Sequence, residues 1–402
     1  MSILRVHGAL AVAATASTMM ASRLDAQHFD SATARTVSPG VVHRRVVVNS
    51  GPWRLNILEI DLRRPGITIR GVRAHDSYKG RETVSSMVAR YKGPGRVVAA
   101  VNADFFNIRS TGESENNTVI EGQFLKGVKV TDSPYDTFDS IHSQFGVDWQ
   151  SHPFIERFAF DGRMAGAKEW QSDIDAVNFW PDSNALVLYT AAFGDSTPGD
   201  STGRHPLVVS LRSTGKRGDT LLFRAVGKTR QGWSLPLANG AALVAGGARR
   251  SDLRSLLNSA GPLKFVAHLD PDRGRLRTVL GGWGRLIVHG QSVAAQADSV
   301  EGTFPKFSRD RHPRTAVGFS SDSTKLFLIT VDGRRESDSG MSFVELAHLM
   351  LDLGVYEGMN FDGGGSTTMV VDGKVVNSPS DKTGERSVGS ALLVVLDPPL
   401  KD

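Results

Sequence analysis

Residues 342–377 have the sequence SFVELAHLMLDLGVYEGMNFDGGGSTTMVVDGKVVN, and this stretch predicts a helix, a strand, a loop and a hairpin in that order. Ser342 and Glu345 have the spacing of a capping box, in which the serine caps a helix and the glutamate side chain reaches back to the capping residue. Apolar residues then recur at helical spacing as far as Gly354, and glycine is a common helix terminator. Asp372 and Gly373 predict the turn of the hairpin that follows.

A glycine-rich loop at residues 362–366 lies between a strand that ends at Phe361 and a strand at residues 367–371. Three consecutive glycines cost backbone entropy, so they indicate a conformation or a close ligand approach that a side chain would prevent. A phosphate-binding P-loop needs lysine and then serine or threonine after its last glycine. Gly365 is followed by Ser366 and Thr367 instead, so the loop does not have the P-loop sequence. Thr368 excludes both the dinucleotide fingerprint and the nucleophile elbow. A tight structural turn remains the alternative to a ligand-binding loop.

Short apolar or alternating segments between turn residues predict many strands upstream of this stretch. Residues 83–91 predict a short helix, and residues 96–101 predict a buried strand. Many strands with few helices indicate the α+β class, in which a sheet dominates a mixed α/β domain. Residues 27–44 show no periodicity and are interpreted as a linker, which leaves residues 45–398 as one domain.

Composition and charge exclude several classes of protein. The chain has 402 residues, of which 40% are hydrophobic and 22% charged, as in globular proteins. Lys and Arg number 47 against 42 Asp and Glu, and the excess of 47 − 42 = 5 is not gathered in a basic run. We therefore expect no nucleic-acid partner. The absence of cysteine excludes disulfides, thiol nucleophiles and thiolate metal sites.

Residues 1–26 have the pattern of a cleavable signal peptide. Arg5 provides the positive end, a run of apolar and small residues follows at 9–21, and Ala26 offers a small residue before a cut. The apolar run is shorter than the roughly 20 residues that a membrane-spanning helix needs. We therefore expect a secreted or periplasmic protein without a membrane span.

Four segments follow one another along the chain: VNADFFN at 101–107, GGWGRLI at 281–287, PRTAVG at 313–318 with VDGR at 331–334, and MNFDGGGST at 359–367. In this order they resemble the phosphodiester glycosidase family, which includes the enzyme that removes N-acetylglucosamine from mannose-6-phosphate markers. Residues 377–386 extend the resemblance toward the C-terminus, so that it covers roughly residues 45–396.

The resemblance implies hydrolysis of a sugar-1-phosphodiester, which releases the free sugar and leaves a phosphomonoester. A phosphomonoester leaves as a stable anion, so the site needs cations more than a strong general acid. Arginine forks bind phosphate well, and Arg314 and Arg334 are the candidates. Attack on the anomeric carbon comes from water or from a carboxylate, and Asp362 is the first candidate and Asp332 the second for the carboxylate involved.

Further residues of the matched segments are predicted to bind substrate. The amides of Asn102 and Asn360 suit sugar hydroxyls, and Thr315 lies beside Arg314 in its segment. The consecutive N–H groups of Gly363, Gly364, Gly365 and Ser366 could form an anion-binding nest.

The sequence leaves several questions open. The cofactor is unknown: the chemistry inferred from the residues needs none, and oxygen donors of this kind would suit a divalent cation such as calcium or magnesium. No loop has calcium-site spacing, so the metal stays unassigned, and so does the oligomeric state. The expected partner is a sugar-1-phosphodiester or another phosphorylated glycan. The alternatives are a glycosidase that processes an envelope polymer or exopolysaccharide and a non-catalytic carbohydrate-binding protein of the same fold.

Overall fold

The computed structural model describes residues 30–397 except 167–170, 201–202, 233, 239 and 259–260. The predicted signal peptide at residues 1–26 lies outside the described residues. Within them, strands far outnumber helices, which confirms the sheet-rich composition expected from the sequence, but the strands form four sheets rather than a single one. The helices are α1 Val84–Ala89, α2 Arg249–Asn258, α3 Ala297–Val300, α4 Pro305–Ser308 and α5 Phe343–Asp352.

Sheet 1 has eight strands and combines the beginning and the end of the chain. Apolar side chains on one face of sheet 1 pack against α5. Apolar side chains on its opposite face belong to a core that is shared with two more sheets. In spatial order its strands are β1 Ser31–Ser38, β2 Val41–Val48, β3 Trp53–Asp61, β22 Lys325–Val331, β21 Arg314–Phe319, β23 Glu357–Asn360, β19 Arg285–Val288 and β20 Gln291–Ser292.

Sheets 3 and 4 have five strands each and share that core with sheet 1. The strands of sheet 3 are β7 Gln123–Lys126, β6 Thr118–Ile120, β18 Leu276–Gly281, β8 Gln144–Asp148 and β9 Pro153–Glu156. Those of sheet 4 are β25 Lys374–Val375, β24 Met369–Val371, β5 Arg96–Asn102, β26 Ser390–Leu396 and β4 Ile67–Arg73.

Sheet 2 is formed by one continuous stretch of chain and packs α2 against one face, with a core of its own. Residues 45–398, expected to form a single domain, therefore contain more than one hydrophobic core. That these residues form one domain stays a prediction. The strands of sheet 2 are β11 Gln171–Ile174, β10 Ala159–Ala165, β17 Leu263–Asp270, β15 Thr220–Gln231, β14 Leu207–Arg217, β16 Ala241–Ala245, β13 Leu186–Thr190 and β12 Ala176–Val177.

Helix α5 begins and ends as its sequence predicts. The Ser342 side chain accepts a hydrogen bond from the Glu345 amide, and the Glu345 side chain accepts one from the Ser342 amide at 2.9 Å. Gly354 ends the helix with a φ of 84°, a conformation that favours glycine. Helix α1 likewise lies inside the predicted range 83–91, and Thr83 caps it.

The linker expected at residues 27–44 is wrong for residues 31–44. β1 pairs with β2 along its length, and β2 pairs with β3. β1 has exposed side chains on both faces and one neighbouring strand, so its sequence does not alternate between apolar and polar residues. In the part of the chain that the structure describes, no helix is long and apolar enough to cross a membrane.

Candidate active site

Two strand ends bring Asp104 and Asp362 to the junction of sheets 1 and 4. Asp104 follows the end of β5, and Asp362 follows the end of β23. The Asp362 amide donates a hydrogen bond of 2.8 Å to the carbonyl of Ala103, which joins the two segments directly. The carboxyl groups are thus fixed by rigid strands, although 258 residues separate them in sequence.

Glu115 joins these two aspartates in a cluster of three carboxyl groups, which we call the carboxyl cluster. Asp104 and Glu115 are buried, at 1% and 4% exposure, and Asp362 is partly exposed. Each negative charge disfavours the others, since the Asp104 and Asp362 charges raise the pKa of Glu115 and the Asp104 charge raises that of Asp362. Asp362 is therefore the member of the cluster that reaches solvent.

Burial is the main cause of the raised pKa values in the carboxyl cluster. It raises the pKa of Asp104 to about 6, against opposing hydrogen bonds from the amide and side chain of Asn116. It raises the pKa of Glu115 well above its usual value. It raises the pKa of Asp362 to about 7, against a hydrogen bond from Ser366 and the charge of Arg386. Perturbed carboxyl groups of this kind are typical of acid–base and nucleophilic sites.

A buried lysine partly offsets the negative charge of the cluster. Lys126 is 1% exposed, and its Nζ donates a 2.6 Å hydrogen bond to the carbonyl of Ser114. Its charge lowers the pKa values of Asp104 and Glu115, in opposition to burial. Nζ also lies 3.3 Å from an Asp132 carboxyl oxygen and 4.4 Å from the centroid of the Phe179 ring.

Arg386 and the glycine turn form one side of the site. The Arg386 guanidinium binds Asp381 through two hydrogen bonds of 2.7 and 2.9 Å and donates a third, of 3.4 Å, to Ser366 Oγ. A Cβ at Gly365 would lie 2.1 Å from Arg386 Nη2 and 2.1 Å from Asp381 Oδ1. A side chain at 365 would therefore displace the arginine–aspartate pair, which packs directly on the backbone there.

The exposed side chain of Arg334 lies over Gly364, the residue before Gly365 in the same turn. A Cβ at Gly364 would be 2.9 Å from Arg334 Nη2, so the guanidinium covers that glycine. Among the described residues, Arg334 has no hydrogen-bonded or ion-paired partner, unlike Arg386. Its fork is thus exposed near the turn that carries Asp362, and its binding to phosphate stays a prediction.

Arg314 has a different environment from the one expected. It is fully buried, and its guanidinium donates hydrogen bonds to the carbonyls of Met341, Phe307 and Asp310 at 2.8, 2.6 and 3.1 Å. It also packs 4.5 Å from the centroid of the Phe343 ring. Burial and the charge of Arg334 lower its pKa to about 9. These contacts stabilise the loop beneath the site, so we leave Arg314 out of the proposed substrate contacts.

The polar residues predicted to bind sugar hydroxyls are also engaged by the protein. Asn102 donates to the carbonyl of Asp362 at 2.6 Å and accepts from Thr315 Oγ1 at 2.7 Å and the Thr368 amide at 3.0 Å. Asn360 is fully buried and donates to the carbonyl of Trp283 at 3.1 Å. Asn102, Thr315 and Asn360 therefore position the loop that carries Asp362.

Asp332 organises a loop rather than joining the carboxyl cluster. Its Oδ1 accepts hydrogen bonds from Asn377 Nδ2 at 3.2 Å and from the Ser378 amide at 3.0 Å. Asn377 in turn holds the Met369 amide at 2.8 Å. Burial raises the pKa of Asp332 to about 6. Its contacts give it a positioning role for the segment after β24.

The expected anion nest at residues 363–366 is mostly closed. The Gly364 amide donates to the carbonyl of Pro313 at 2.9 Å, and the Ser366 amide donates to that of Gly363 at 3.1 Å. The Gly363 amide donates to the Asp362 carboxylate. Three of the four predicted N–H donors are thus used by the protein itself, and the turn serves to shape the surroundings of Asp362.

Sequence reasoning missed Asp104, Glu115, Lys126 and Arg386 as site residues. Asp104 and Arg386 lie within the segments that carry the family resemblance, so the resemblance could have identified them. Glu115 and Lys126 lie in polar stretches without such a signal. The described residues include no group of three or more His, Cys, Asp or Glu placed to hold a metal ion, so the metal stays unassigned.

Comparison with known proteins supports the resemblance. The family model described as phosphodiester glycosidase matches residues 220–395. N-acetylglucosamine-1-phosphodiester alpha-N-acetylglucosaminidase of Bos taurus is 37% identical over 93 residues, which are 23% of this chain and 17% of that protein. SPbeta prophage-derived uncharacterized protein YomE of Bacillus subtilis (strain 168) is 42% identical over 84 residues, or 21% of this chain and 13% of that protein. The matched parts thus span less than a fifth of these relatives.

A solved structure shows that the fold has a precedent. The crystal structure of a hypothetical protein from Synechocystis superposes with a TM-score of 0.71 at 19% identity, over 91% of this chain and 64% of that one. At this identity the likeness concerns the fold alone. The family model and the curated relatives agree on the same family: residues 220–395 of the chain match the phosphodiester glycosidase model.

Proposed function

We propose that this protein is an exported hydrolase that cleaves the sugar–phosphate bond of sugar-1-phosphodiesters of the N-acetylglucosamine-1-phosphodiester type. The products are the free sugar and a phosphomonoester. The observation that carries the proposal is the meeting of opposite charges at one turn: the carboxyl of Asp362 lies beside Arg386, and the exposed guanidinium of Arg334 lies over Gly364. A phosphodiester of a sugar requires this combination of a reacting carboxylate and anion-binding guanidinium groups.

The two arginines have different parts in the proposed reaction. Arg334 binds the phosphate, because its fork is exposed and lacks a partner among the described residues. It stabilises the phosphomonoester as the leaving group gains negative charge. Arg386 is already paired with Asp381, so it positions Ser366 and favours the ionised form of Asp362.

Asp362 is the proposed catalytic carboxylate. With a pKa of about 7, it is ionised in a large fraction of molecules at neutral pH, and it reaches solvent. It attacks the anomeric carbon or removes a proton from the attacking water. Little proton donation to the leaving group is needed, since a phosphomonoester is already a stable anion.

Asp104 and Glu115 are the buried members of the carboxyl cluster, and the charge of Asp104 raises the pKa of Asp362. Burial raises the pKa of Glu115 well above its usual value and so favours the protonated form, which can donate a hydrogen bond. Its Oε2 is buried and has no hydrogen-bonding partner among the described residues. We assign this atom to a sugar hydroxyl of the substrate.

The proposal is tested by a turnover screen of the purified protein on sugar-1-phosphodiesters and on p-nitrophenyl glycosides. We expect turnover of the phosphodiesters, and we expect Asp362→Asn to lower it by about 10²- to 10⁴-fold, since the amide keeps the shape but loses the charge. Asp372→Asn is the matched control, because Asp372 also precedes a glycine but lies in the exposed hairpin turn after β24.

Three outcomes contradict the proposal. Unchanged turnover by Asp362→Asn, with a normal melting curve, removes Asp362 from the mechanism. Faster turnover of p-nitrophenyl glycosides than of any phosphodiester favours a glycosidase acting on another polymer. Binding of sugar-1-phosphodiesters without any turnover favours the carbohydrate-binding alternative.

A further inference from the structure

One face of sheet 2 is covered along half of its width and open along the other half. Leu235 and Leu237 pack over the part formed by β13 and β16. The part formed by β10, β17 and β15 carries exposed side chains, and the phenylalanines of these strands, Phe160, Phe223 and Phe265, lie in the core on the opposite face. The open part is therefore a solvent-facing polar surface.

Basic residues collect on this open surface at its β14–β15 end. Arg212 and Arg224 stand directly opposite each other across the two strands. Lys264 lies opposite Leu222, the next residue of β15 on the same face. We call this set the basic face; its members are Arg212, Arg217, Arg224, Lys228 and Lys264, and all five are exposed.

The basic face has no acidic partners of its own. Among the described residues, none of its five cations has a carboxylate within 4.0 Å, and the nearby Asp219 is paired with Arg275 at 2.8 Å. Like charges directly opposite each other on two strands destabilise a sheet. The chain therefore maintains an unfavourable concentration of charge here, although its overall excess is only five.

A groove adjoins the basic face. It has a volume of about 400 Å³ and is lined by residues of β10, β11, β15 and β17, among them Lys264, Thr220 and Arg163. Arg163 is 3.4 Å from Asp161, and Asp161 with Asp270 makes the far end of the surface acidic. The surface is thus positively charged along the β14–β15 hairpin and negatively charged toward the end of β17.

We propose that the basic face binds a linear polyanion, namely a polymer of sugar or polyol units joined by phosphodiesters. Arg217 of β14 pairs with Thr220 of β15. From this pair to Lys228 the hairpin extends for roughly 25 Å, at about 3.3 Å per residue of β15, which is long enough for several phosphates. The same chemical group is the substrate in the proposed function, on which this choice of polymer rests. Single-stranded nucleic acid fits less well, since base stacking needs aromatic side chains and the phenylalanines of these strands point into the core.

The test compares Arg212→Gln/Arg224→Gln with Arg45→Gln/Arg254→Gln. The control pair removes two exposed arginines without an ion pair among the described residues, one in β2 and one in α2. The probes are purified poly(glycerol phosphate), neutral dextran and a single-stranded DNA oligonucleotide, and binding is measured at several NaCl concentrations.

Wild type and the control pair should bind poly(glycerol phosphate) and not dextran. The Arg212→Gln/Arg224→Gln variant should bind at least about tenfold more weakly at low salt. Its slope of log Kd against log salt should fall by about 1.4, which is roughly 0.7 for each lost phosphate contact. Its melting temperature should not fall, because the substitution removes a repulsion.

Equal binding by the two double variants overturns the proposal, and so does tighter binding of DNA than of poly(glycerol phosphate). Its failure is distinguishable from failure of the proposed function. Turnover of a small sugar-1-phosphodiester should be the same in Arg212→Gln/Arg224→Gln as in wild type, and Asp362→Asn should bind the polymer normally.

Discussion

Arg314 and Arg334 show how strongly the environment decides the role of a residue. Both are arginines of family-like segments, and both could be assigned to phosphate from the sequence. The guanidinium of Arg314 is fully buried and binds main-chain carbonyls, whereas that of Arg334 is exposed over Gly364. The sequence supplies the residue type and the neighbouring motif, but burial depends on helices and loops that pack from elsewhere.

Substitution of Arg334 should affect phosphodiesters selectively. A hydrogen bond to a charged group is worth about 1.5–3 kcal/mol. Arg334→Gln should therefore lower kcat/KM on sugar-1-phosphodiesters by about 10- to 150-fold and largely spare the same sugar with a neutral leaving group. Assays of both substrate types, each with a melting curve, check this expectation.

Arg314→Lys is the contrasting control for that measurement. It should lower the melting temperature and reduce both activities alike, because lysine cannot replace three hydrogen bonds to carbonyls. Equal losses on both substrates in Arg334→Gln would show that Arg334 shapes the site as a whole rather than binding phosphate.

The raised pKa values predict that stability falls as the pH rises. Asp104 and Asp362 have pKa values of about 6 and 7 in the folded protein, both above their usual range. Between about pH 4 and 8 the folded state therefore binds more protons than the unfolded state, and its free energy of unfolding decreases with pH. Thermal melting should show a lower melting temperature at pH 8 than at pH 5.

Asp362→Asn should reduce this pH dependence, because the amide has no charge to bury. At about 1.4 kcal/mol for each pKa unit, a rise from 3.8 to about 7 corresponds to about 4 kcal/mol, which solvent screening at this partly exposed carboxyl reduces. Removing the carboxyl should therefore stabilise the protein at pH 8 by about 1–3 kcal/mol relative to wild type, with little change at pH 4. A parallel pH profile in wild type and variant would contradict the assignment of the raised pKa to Asp362.

At the scale of elements, the parts specified by adjacent residues are the ones that the sequence predicts well. The capping box of α5, its end at Gly354 and the hairpin at Asp372 depend on neighbours within a few positions. β1 is not recognisable, because it buries almost nothing and is held by its pairing with β2. The sequence likewise does not identify Glu115 as a site residue, because its burial arises from segments that come together only in the fold.

The glycine turn gives an element-scale prediction. Gly365→Ala places a methyl group 2.1 Å from Arg386 Nη2 and Asp381 Oδ1, so the pair must move away from Ser366. We expect turnover to fall at least about tenfold, with a stability cost of about 1–3 kcal/mol. Kinetics and melting curves of the variant measure the two effects.

Gly373→Ala is the control for replacing a glycine nearby. Gly373 has a φ of 74°, but no atom lies within 4 Å of its Cβ position. This substitution should cost about 1 kcal/mol of stability without reducing turnover. If Gly365→Ala were as active as Gly373→Ala, the contact between Arg386 and Ser366 would have no part in the reaction.

At the scale of the whole molecule, the site is assembled from both ends of the chain. Asp104 and Glu115 precede the segment at residues 220–395 that matches the family model, and Asp362 lies within it. β3 pairs with β22, and β5 pairs with β24 and β26, so the early strands complete the sheets of the late segment. The order of motifs along the sequence predicts the family, but the partnership of distant carboxyl groups needs the folded sheets.

The position of β26 has a consequence for how the protein is made. It lies between β4 and β5 in sheet 4, and it pairs Leu393 with both Arg70 and Ala100. A chain growing from its N-terminus therefore carries β4 and β5 without the strand that joins them until residues 390–396 have been made. Closing so long a loop is slow, and the waiting strands present edges that can pair wrongly. We infer that sheet 4 is completed only after residues 390–396 have been made, whatever the order in which the other sheets fold.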